Sequence, residues 1–580
     1  MGIRWGIKRM DKQENTFKNI LIMFKPYFRE YFITFICITL GSIVSLQYPL
    51  VLKIIVDDVL INKNYNMLFL MVIVYILLFL VGFFFNFLTS FMNEINTQSF
   101  AFDLKKRLFS HFQKTPLSFL NQTSMGELVS NFNNDVDTIS NFVSQELIRF
   151  VTNVLNIMVV MVMLIILNWR LAIFLILLIP IFFIANILTR NHFKKFFFIN
   201  RELITEGNNL YQNVFYNIKL VKLFVAQRKF MKQFLSWQDK AITVAIRRTV
   251  AGNLLQQLTM IVFLIGNVII IWYGASMVFR NQLSIGGLVA FYTYIPSLFS
   301  PIGALIDSTV QLRNFETSIN RIRKYLDVET EATVKSKYKI TRGSIDYREV
   351  SFKYGDHGVL NDINASIKAG EKVALIGKNG SGKTTMVNLL LRLYEISSGQ
   401  IDIDGTDIKK FPLNYLRKKI GIVTQEVNFF NLSIEDNLRI SNPFCSQNDI
   451  IKACQITGAH EFISCLPDGY KTMIGERGYN FSGGQLQKLA ISRLILKNPE
   501  IIIFDEATSS LDHESTQFFY QLFASVFKDR TILFILHDLK NIVYADKVIL
   551  LKDQTVKNIY LKTDFAQNQD IYAELQKNVS

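Results

Sequence analysis

A chain of 580 residues is too long for one domain, and half of its residues are hydrophobic, 50 of them Phe. Its mean hydropathy of +0.25 is high for a wholly soluble protein, and its net charge of +16 invites a nucleic-acid partner that the placement of the charge argues against. The four cysteines (Cys37, Cys445, Cys454 and Cys465) form no C-x-x-C pair, so neither a zinc ribbon nor a disulfide framework is indicated, and no signal peptide is visible.

Taken in chain order, apolar runs near Tyr31–Leu52, Met67–Met92, Phe150–Leu167, Leu171–Leu188, Leu254–Phe279 and Ile285–Leu305 each approach the ~20 residues a helix needs to cross a bilayer. The first is interrupted by Gly41, Gln47 and Pro49, which membrane helices tolerate. Lys and Arg cluster before the first run, between the second and third, and between the fourth and fifth. The opposite side carries only Lys53, Lys63, Arg170 and Arg280. This bias predicts a multi-pass protein of the cell membrane with both termini cytoplasmic, and it accounts for much of the positive charge without nucleic acid. The outer connections are short, whereas the inner ones, roughly Asn93–Gln145 and Thr189–Asn253, are long, polar and helical in pattern. They read as cytoplasmic extensions of the spans. Asn86, Gln256, Gln257 and Asn267 are polar positions within spans. They serve equally well as cavity-facing groups or as helix–helix hydrogen bonds, so no substrate ligand is assigned.

From Arg313 to Tyr338 the sequence becomes charged and the membrane pattern stops, as at a helix end and linker. Beyond it, β-rich runs at Ile345–Tyr354, Lys372–Ile376, Ile420–Val423, Ile501–Asp505 and Thr531–Leu536 alternate with helical ones, the pattern of an α/β domain. Gly377–Thr385 reads G-K-N-G-S-G-K-T-T and fits G-x-x-x-x-G-K-[ST] between a strand and a helix expected over Thr384–Tyr394. Backbone N–H groups of Gly377, Lys378, Asn379, Gly380, Ser381 and Gly382, with Thr385 at the helix start, are expected to cradle the phosphates of ATP. Lys383 reaches the β/γ-phosphates and Thr384 holds Mg²⁺ in this reading. The strand Ile501–Asp505 would deliver Asp505 to the metal and Glu506 to the attacking water. Ser482, Gly483, Gly484 and Gln485 open a helix expected over Leu486–Leu496 and form an anion site.

In this order the motifs resemble the ATP-binding cassette exporters, in which six spans precede one nucleotide-binding domain, and the resemblance covers essentially the whole chain. It implies that Tyr354 stacks on adenine, that Gln425 contacts Mg²⁺ and senses the membrane domain, and that Glu476 touches an intracellular loop. It further implies that Ser482–Gln485 is the signature, that Ser510, Leu511 and Asp512 form a dimer contact, and that His537 contacts the γ-phosphate. Phe481 replaces the usual signature leucine, Lys488 stands where arginine is common, and Asn213 falls where many exporters carry glutamate. The tail after Leu551 matches the family's ending poorly.

The resulting expectation has three parts. Residues 1–312 form an all-α polytopic membrane domain of six helices with long cytoplasmic extensions, 313–340 a linker, and 341–580 an α/β P-loop NTPase domain. By resemblance, two chains meet head to tail, a homodimer being favoured over a heterodimer because no motif is degenerate. Closure around two ATPs then pushes on short inner-loop helices near Pro116–Thr123 and Tyr216–Leu223. The expected activity is ATP hydrolysis driving export of a hydrophobic or amphipathic drug or lipid by alternating access, within membrane lipid and without nucleic acid. The alternatives are a peptide or bacteriocin exporter, for which no peptidase-like segment precedes the spans, and an ATP-gated channel or regulator, which intact Glu506 and His537 argue against.

Overall fold

The computed structural model describes residues 25–331, 334, 336–425, 427–475, 479, 481–505, 517–518, 520, 525–536, 539–567, 571 and 574–576. The chain forms two compact units. One takes the described residues up to Ser110 together with Gly126–Asp327, and the other His111–Met125 together with Val328–Ser580.

The first unit is helical. Helix α1 (Phe28–Ser45) gives way at Leu46 to α2 (Tyr48–Ile54), which runs on as a π-helical turn over Ile55–Leu60. Pro49 brings no N–H to this break, and the buried Tyr294 hydroxyl donates to the Leu46 carbonyl at 2.6 Å. Helix α3 (Tyr65–Phe112) has 48 residues, about 70 Å at 1.5 Å per residue, more than twice the hydrocarbon thickness of a bilayer. Its Phe69, Phe79, Phe83, Phe84 and Phe87 are exposed, a surface suited to lipid rather than water. A short helix, α4 (Leu117–Leu120), lies in the connection expected to be the first inner loop and belongs to the second unit. The chain continues in α5 (Met125–Asn141), a π-helical turn over Phe142–Glu146, and α6 (Leu147–Tyr216).

The third and fourth predicted spans share α6. Asn168 breaks it with extended backbone (φ −164°, ψ 106°), and its side-chain oxygen accepts from the N–H groups of Arg170 and Leu171 at 3.1 and 3.2 Å. Asn168 therefore caps the start of the fourth span, in the short gap between the expected runs Phe150–Leu167 and Leu171–Leu188. A second short helix, α7 (Ile218–Leu223), precedes α8 (Gln227–Phe279) and α9 (Ile285–Leu326). Helix α9 continues through the charged stretch Arg313–Leu326, so the expected linker begins as helix. Among the described residues, four stretches are long and apolar enough to cross a membrane: Phe28–Leu60, Tyr65–Phe112, Met125–Ile181 and Ile285–Leu326. Phe263–Phe279 is a shorter apolar helix.

The second unit is α/β. A four-stranded antiparallel sheet has the order β2-β1-β4-β5, with β1 at Ile345–Tyr354, β2 at His357–Ile367, β4 at Ser398–Ile403 and β5 at Thr406–Asp407. A six-stranded sheet has the order β10-β9-β3-β8-β7-β6. It contains β3 (Lys372–Ile376), β6 (Ile420–Val423), β7 (Ile501–Asp505), β8 (Thr531–Ile535), β9 (Lys547–Lys552) and β10 (Thr555–Leu561). All its neighbours run parallel except β9 and β10. Both faces of this sheet are covered. Val373, Leu375, Ile501 and Ile503 enter one core, and Ala374, Ile376, Ile502 and Phe504 the other, which is why these strands read as unbroken apolar runs. A third apolar cluster gathers Ile434, Leu438, Ile450, Ile463 and Leu489 from the helices between β6 and β7. Sequence reading missed β2, β4, β5, β9 and β10. In β2 the polar Asn361, Asp362 and Asn364 interrupt any apolar run, which suits an edge strand with one face in water.

Candidate functional site

The site is built at the carboxyl ends of β3, β6 and β7, where parallel α/β sheets place ligands. Strand β3 ends at Ile376, and the chain turns through Gly377–Gly382 into α10 (Lys383–Leu390). Helix α10 stops short of the expected Tyr394 because Arg392 takes a left-handed φ of 50°. Two of the loop glycines are required by close approach. A Cβ on Gly377 would collide with the Leu551 carbonyl oxygen, and one on Gly382 with the Leu360 side chain of β2. Strand β2, which the sequence did not reveal, thus backs the loop. Lys378, Asn379 and Gly380 form its exposed tip, whereas Thr385 is buried.

Lys383 is buried, and its ammonium donates to the carbonyl oxygens of Gly377 and Lys378 at 2.6 and 3.1 Å. The hydroxyl oxygen of Ser381 is buried without a hydrogen-bond partner and lies on the Gly377 side of the loop. A buried polar oxygen of this kind calls for an incoming donor or a bound polar ligand. The hydroxyl of Thr384 lies 3.4 Å from the carboxylate of Asp505 at the end of β7. Asp505 is itself buried. One buried carboxylate facing a helix N-terminal hydroxyl is a donor set that fits Mg²⁺, which is commonly held by one or two carboxylates together with nucleotide phosphates. Among the described residues no group of three or more His, Cys, Asp or Glu side chains offers an all-protein metal cage.

Gln425 emerges exposed two residues beyond β6, whose Val423 pairs with Phe504 beside Asp505. Strand order therefore brings Gln425, Asp505 and the loop to the same sheet edge. Next to it opens a groove of about 520 Å³ lined by residues that include Thr424, Val427, Asn428, Phe444, Arg493 and Lys497. Arg493 lies over the Phe429 ring at 4.1 Å and donates to backbone oxygens of Asn428 and Asn437. Burial pushes its pKa down to about 10.

Tyr354 ends β1, half-exposed, its ring edge-on to Phe352 at 4.7 Å and to Tyr394 at 5.0 Å. The Ser482–Gln485 segment starts the helix Gly483–Lys497, here α15 after the short helices α11 (Leu413–Lys419), α12 (Ile434–Arg439), α13 (Gln447–Ile456) and α14 (Ala459–Ser464). Ser482 and Gln485 form a reciprocal capping box. The Ser482 hydroxyl accepts from the Gln485 N–H at 3.3 Å, and the Gln485 side chain accepts from the Ser482 N–H at 2.9 Å. The Gln485 side chain is thus engaged within its own helix start, a use that the spacing S-x-x-Q could have revealed. Ser482 and Gly483 are exposed. Glu506 and His537, and with them Glu476, Ser510, Leu511 and Asp512, lie outside the described residues.

The family model of the ABC transporter transmembrane region matches residues 31–302, and that described as ABC transporter matches 360–509. The chain is 30% identical over 577 residues to an ATP-dependent lipid A-core flippase of Syntrophus aciditrophicus, covering 98% of this chain and 94% of that one. It is 29% identical over 569 residues to the putative multidrug export ATP-binding/permease protein YgaD of Bacillus subtilis, covering 96% and 98%. Its fold matches a solved structure of a bacterial Atm1-family ABC exporter with ATP bound. The TM-score is 0.82 at 24% identity, over 95% of this chain and 98% of that one.

Proposed function

The chain belongs to the ABC transporters, as an exporter-type membrane domain fused to an ATPase whose hydrolysis is coupled to transport, and from that premise we propose roles for its residues, its partner and its cargo. The observation that carries the assignment of the ATP site is the approach of Thr384 to Asp505 beside a glycine loop that admits no side chain at Gly377 or Gly382. Gly377–Thr385 grips the phosphates through backbone N–H groups, and Lys383 exchanges its loop carbonyls for the β/γ-phosphate oxygens. Thr384, Gln425 and Asp505 hold Mg²⁺, which offsets the negative charge of the transferring phosphoryl group. Glu506 orients and deprotonates the attacking water, and His537 contacts the γ-phosphate. Tyr354 stacks on the adenine.

Ser482, Gly483 and Gly484 complete the site of a second copy of the chain. The exposure of Ser482 and Gly483, and the capping box that fixes the helix start there, support this role. The tip around α7 supports the same dimer. Tyr216, Phe224 and Val225 are 92%, 77% and 78% exposed, and each chain's tip is covered by the other's ATP-binding domain in this reading. A homodimer is the simplest assembly, because each chain carries every motif.

The protein resides in the cell membrane with both termini cytoplasmic, as the Lys/Arg bias supports. Its cargo is hydrophobic or amphipathic, a drug or a lipid. The names of its relatives and the charge-poor helices support that class. Transport into inside-out vesicles tests the whole reading, with a fluorescent drug, a fluorescent lipid and a labelled peptide offered with and without ATP. ATP-dependent uptake of drug or lipid is expected. Uptake of the peptide alone, or ATP-independent current, would replace the reading.

A further inference from the structure

Tyr394 belongs to none of the motifs, yet it sits between two functional segments of the second unit. Because Arg392 turns the chain with a positive φ, the residues after α10 fold back beneath β1. The Tyr394 ring then meets Tyr354 at 5.0 Å and 90°, and Phe352 at 5.8 Å and 62°, while Phe352 and Tyr354 meet at 4.7 Å and 90°. Three rings in mutual edge contact move together, because each edge is fitted to a neighbour's face. On its far side the Tyr394 hydroxyl accepts a hydrogen bond from the Asn121 side-chain amide at 2.8 Å. Asn121 is the C-terminal cap of α4, in the expected first inner loop.

A second tie holds the same loop. The Glu331 N–H donates to the Lys114 carbonyl at 2.8 Å, and the Glu331 carboxylate is gripped by Arg417 through two bonds of 2.7 and 2.8 Å. Arg417 also donates to the carbonyls of Leu391 and Arg392, in the turn that carries Tyr394. The loop is therefore moored at Lys114 and at Asn121. Of these two moorings, the one at Asn121 is bonded directly to a ring of the Tyr354 cluster.

We infer that Tyr394 is a positioning residue that transmits nucleotide occupancy at Tyr354 to the first inner loop through its hydrogen bond to Asn121. The inference rests on Tyr354 being the adenine platform. A purine stacked on the open face of Tyr354 fixes that ring. The edge contact then fixes Tyr394, and the hydroxyl at the opposite end of Tyr394 holds Asn121 only within a narrow range of distance and angle. Coupling of this kind is reciprocal, so a loop displaced at Asn121 weakens nucleotide binding by the same factor.

Hydrogen–deuterium exchange of the full-length protein in lipid nanodiscs, with and without Mg²⁺ and the non-hydrolysable analogue AMP-PNP, tests this without knowledge of the cargo. In the wild type, AMP-PNP should slow exchange both at residues 377–385 and at 114–123, the latter by about fivefold or more. Tyr394→Phe keeps the ring and removes only the hydroxyl. It should keep the protection of 377–385 and lose most of that at 114–123. Asn121→Ala, at an exposed position, should do the same, and the double variant should be no worse than either single one. Asn121→Asp, whose carboxylate accepts from the Tyr394 hydroxyl, should restore the response in the Tyr394 background and not in the Phe background. The inference is overturned if 114–123 does not respond to AMP-PNP in the wild type. It is equally overturned if Tyr394→Phe leaves that response intact, or if the two single effects multiply. Failure of the adenine platform itself is read separately. Tyr354→Ala would then leave AMP-PNP affinity and the protection of 377–385 unchanged, whatever the Tyr394 variants do.

Discussion

The carboxylate of Asp135 accepts two hydrogen bonds from Arg321, at 2.5 and 2.8 Å, and a third from the Ser318 hydroxyl at 2.8 Å. Asp135 is buried on α5 and its partners lie three residues apart on α9, so one side chain fastens the first inner loop's ascending helix to the extension of the sixth span. Asn131 with Tyr325 and Phe142 stacked on Phe315 continue the same seam in register. Arg321→Met should leave the Asp135 charge with Ser318 alone. It should cost about 2–4 kcal/mol, at the lower end because Arg321 is 40% exposed. Thermal unfolding of the purified protein should fall by several degrees, and adding Asp135→Asn should recover part of the loss. An unchanged melting profile in the single variant would show that the pair contributes nothing.

Lys383→Ala should sharply weaken ATP binding. The loop would lose its buried cation, and the carbonyls of Gly377 and Lys378 would lose their donor. Nucleotide affinity and ATPase are to be measured together. Near-normal values for both would sink the assignment of this loop.

Glu506→Gln separates binding from turnover. The amide keeps the size of the carboxylate but cannot take a proton, whereas in the proposed site nucleotide and Mg²⁺ depend on Lys383, Thr384, Gln425 and Asp505. The variant should bind ATP, lose most hydrolysis and accumulate as a closed dimer. Closure is followed by crosslinking cysteines placed near Ser482 of one chain and Ser381 of the other. Wild-type hydrolysis, or no crosslink with ATP, would falsify the role of Glu506 or the shared site.

Topology is tested by labelling introduced cysteines in intact cells. Asn62→Cys, in the exposed turn between α2 and α3, should react from outside, and Lys12→Cys should not. The reverse pattern would invert the orientation.

Asp404 predicts an acid sensitivity of the second unit. Burial opposes its charge, but N–H groups of Thr341, Arg342 and Ser344 at 2.8, 3.0 and 2.9 Å hold its carboxyl below the usual range. A carboxyl whose pKa is lowered on folding contributes stability that is full above its unfolded pKa and lost as pH falls through the folded value. Asp404→Asn tolerates the positive φ of 50° there but loses the charge. It should lower stability at neutral pH by about 1–2 kcal/mol and flatten the acid limb of the unfolding curve. An acid limb identical to wild type would remove Asp404 as its source.

The parts legible without a structure were those that repeat a local rule. Long apolar runs must become spanning helices, because lipid offers no partner for backbone groups, and runs such as Ile501–Phe504 must become strands buried on both faces. The glycine loop between strand and helix was readable because its motif lies in consecutive residues. The edge strand β2 was not readable, since half of its residues face water and Asn and Asp interrupt it, yet its Leu360 is what forbids a side chain at Gly382. No sequence motif singles out Asn168, whose side chain caps the fourth span. The contacts joining Thr384 to Asp505, Asp135 to Arg321 and Tyr394 to Asn121 span 121, 186 and 273 residues. Local spacing determined the apolar helices, the strands buried on both faces and the glycine-loop motif. Only the tertiary structure decided which distant side chains meet, because strand order and helix packing set those distances and no periodicity in the chain encodes them.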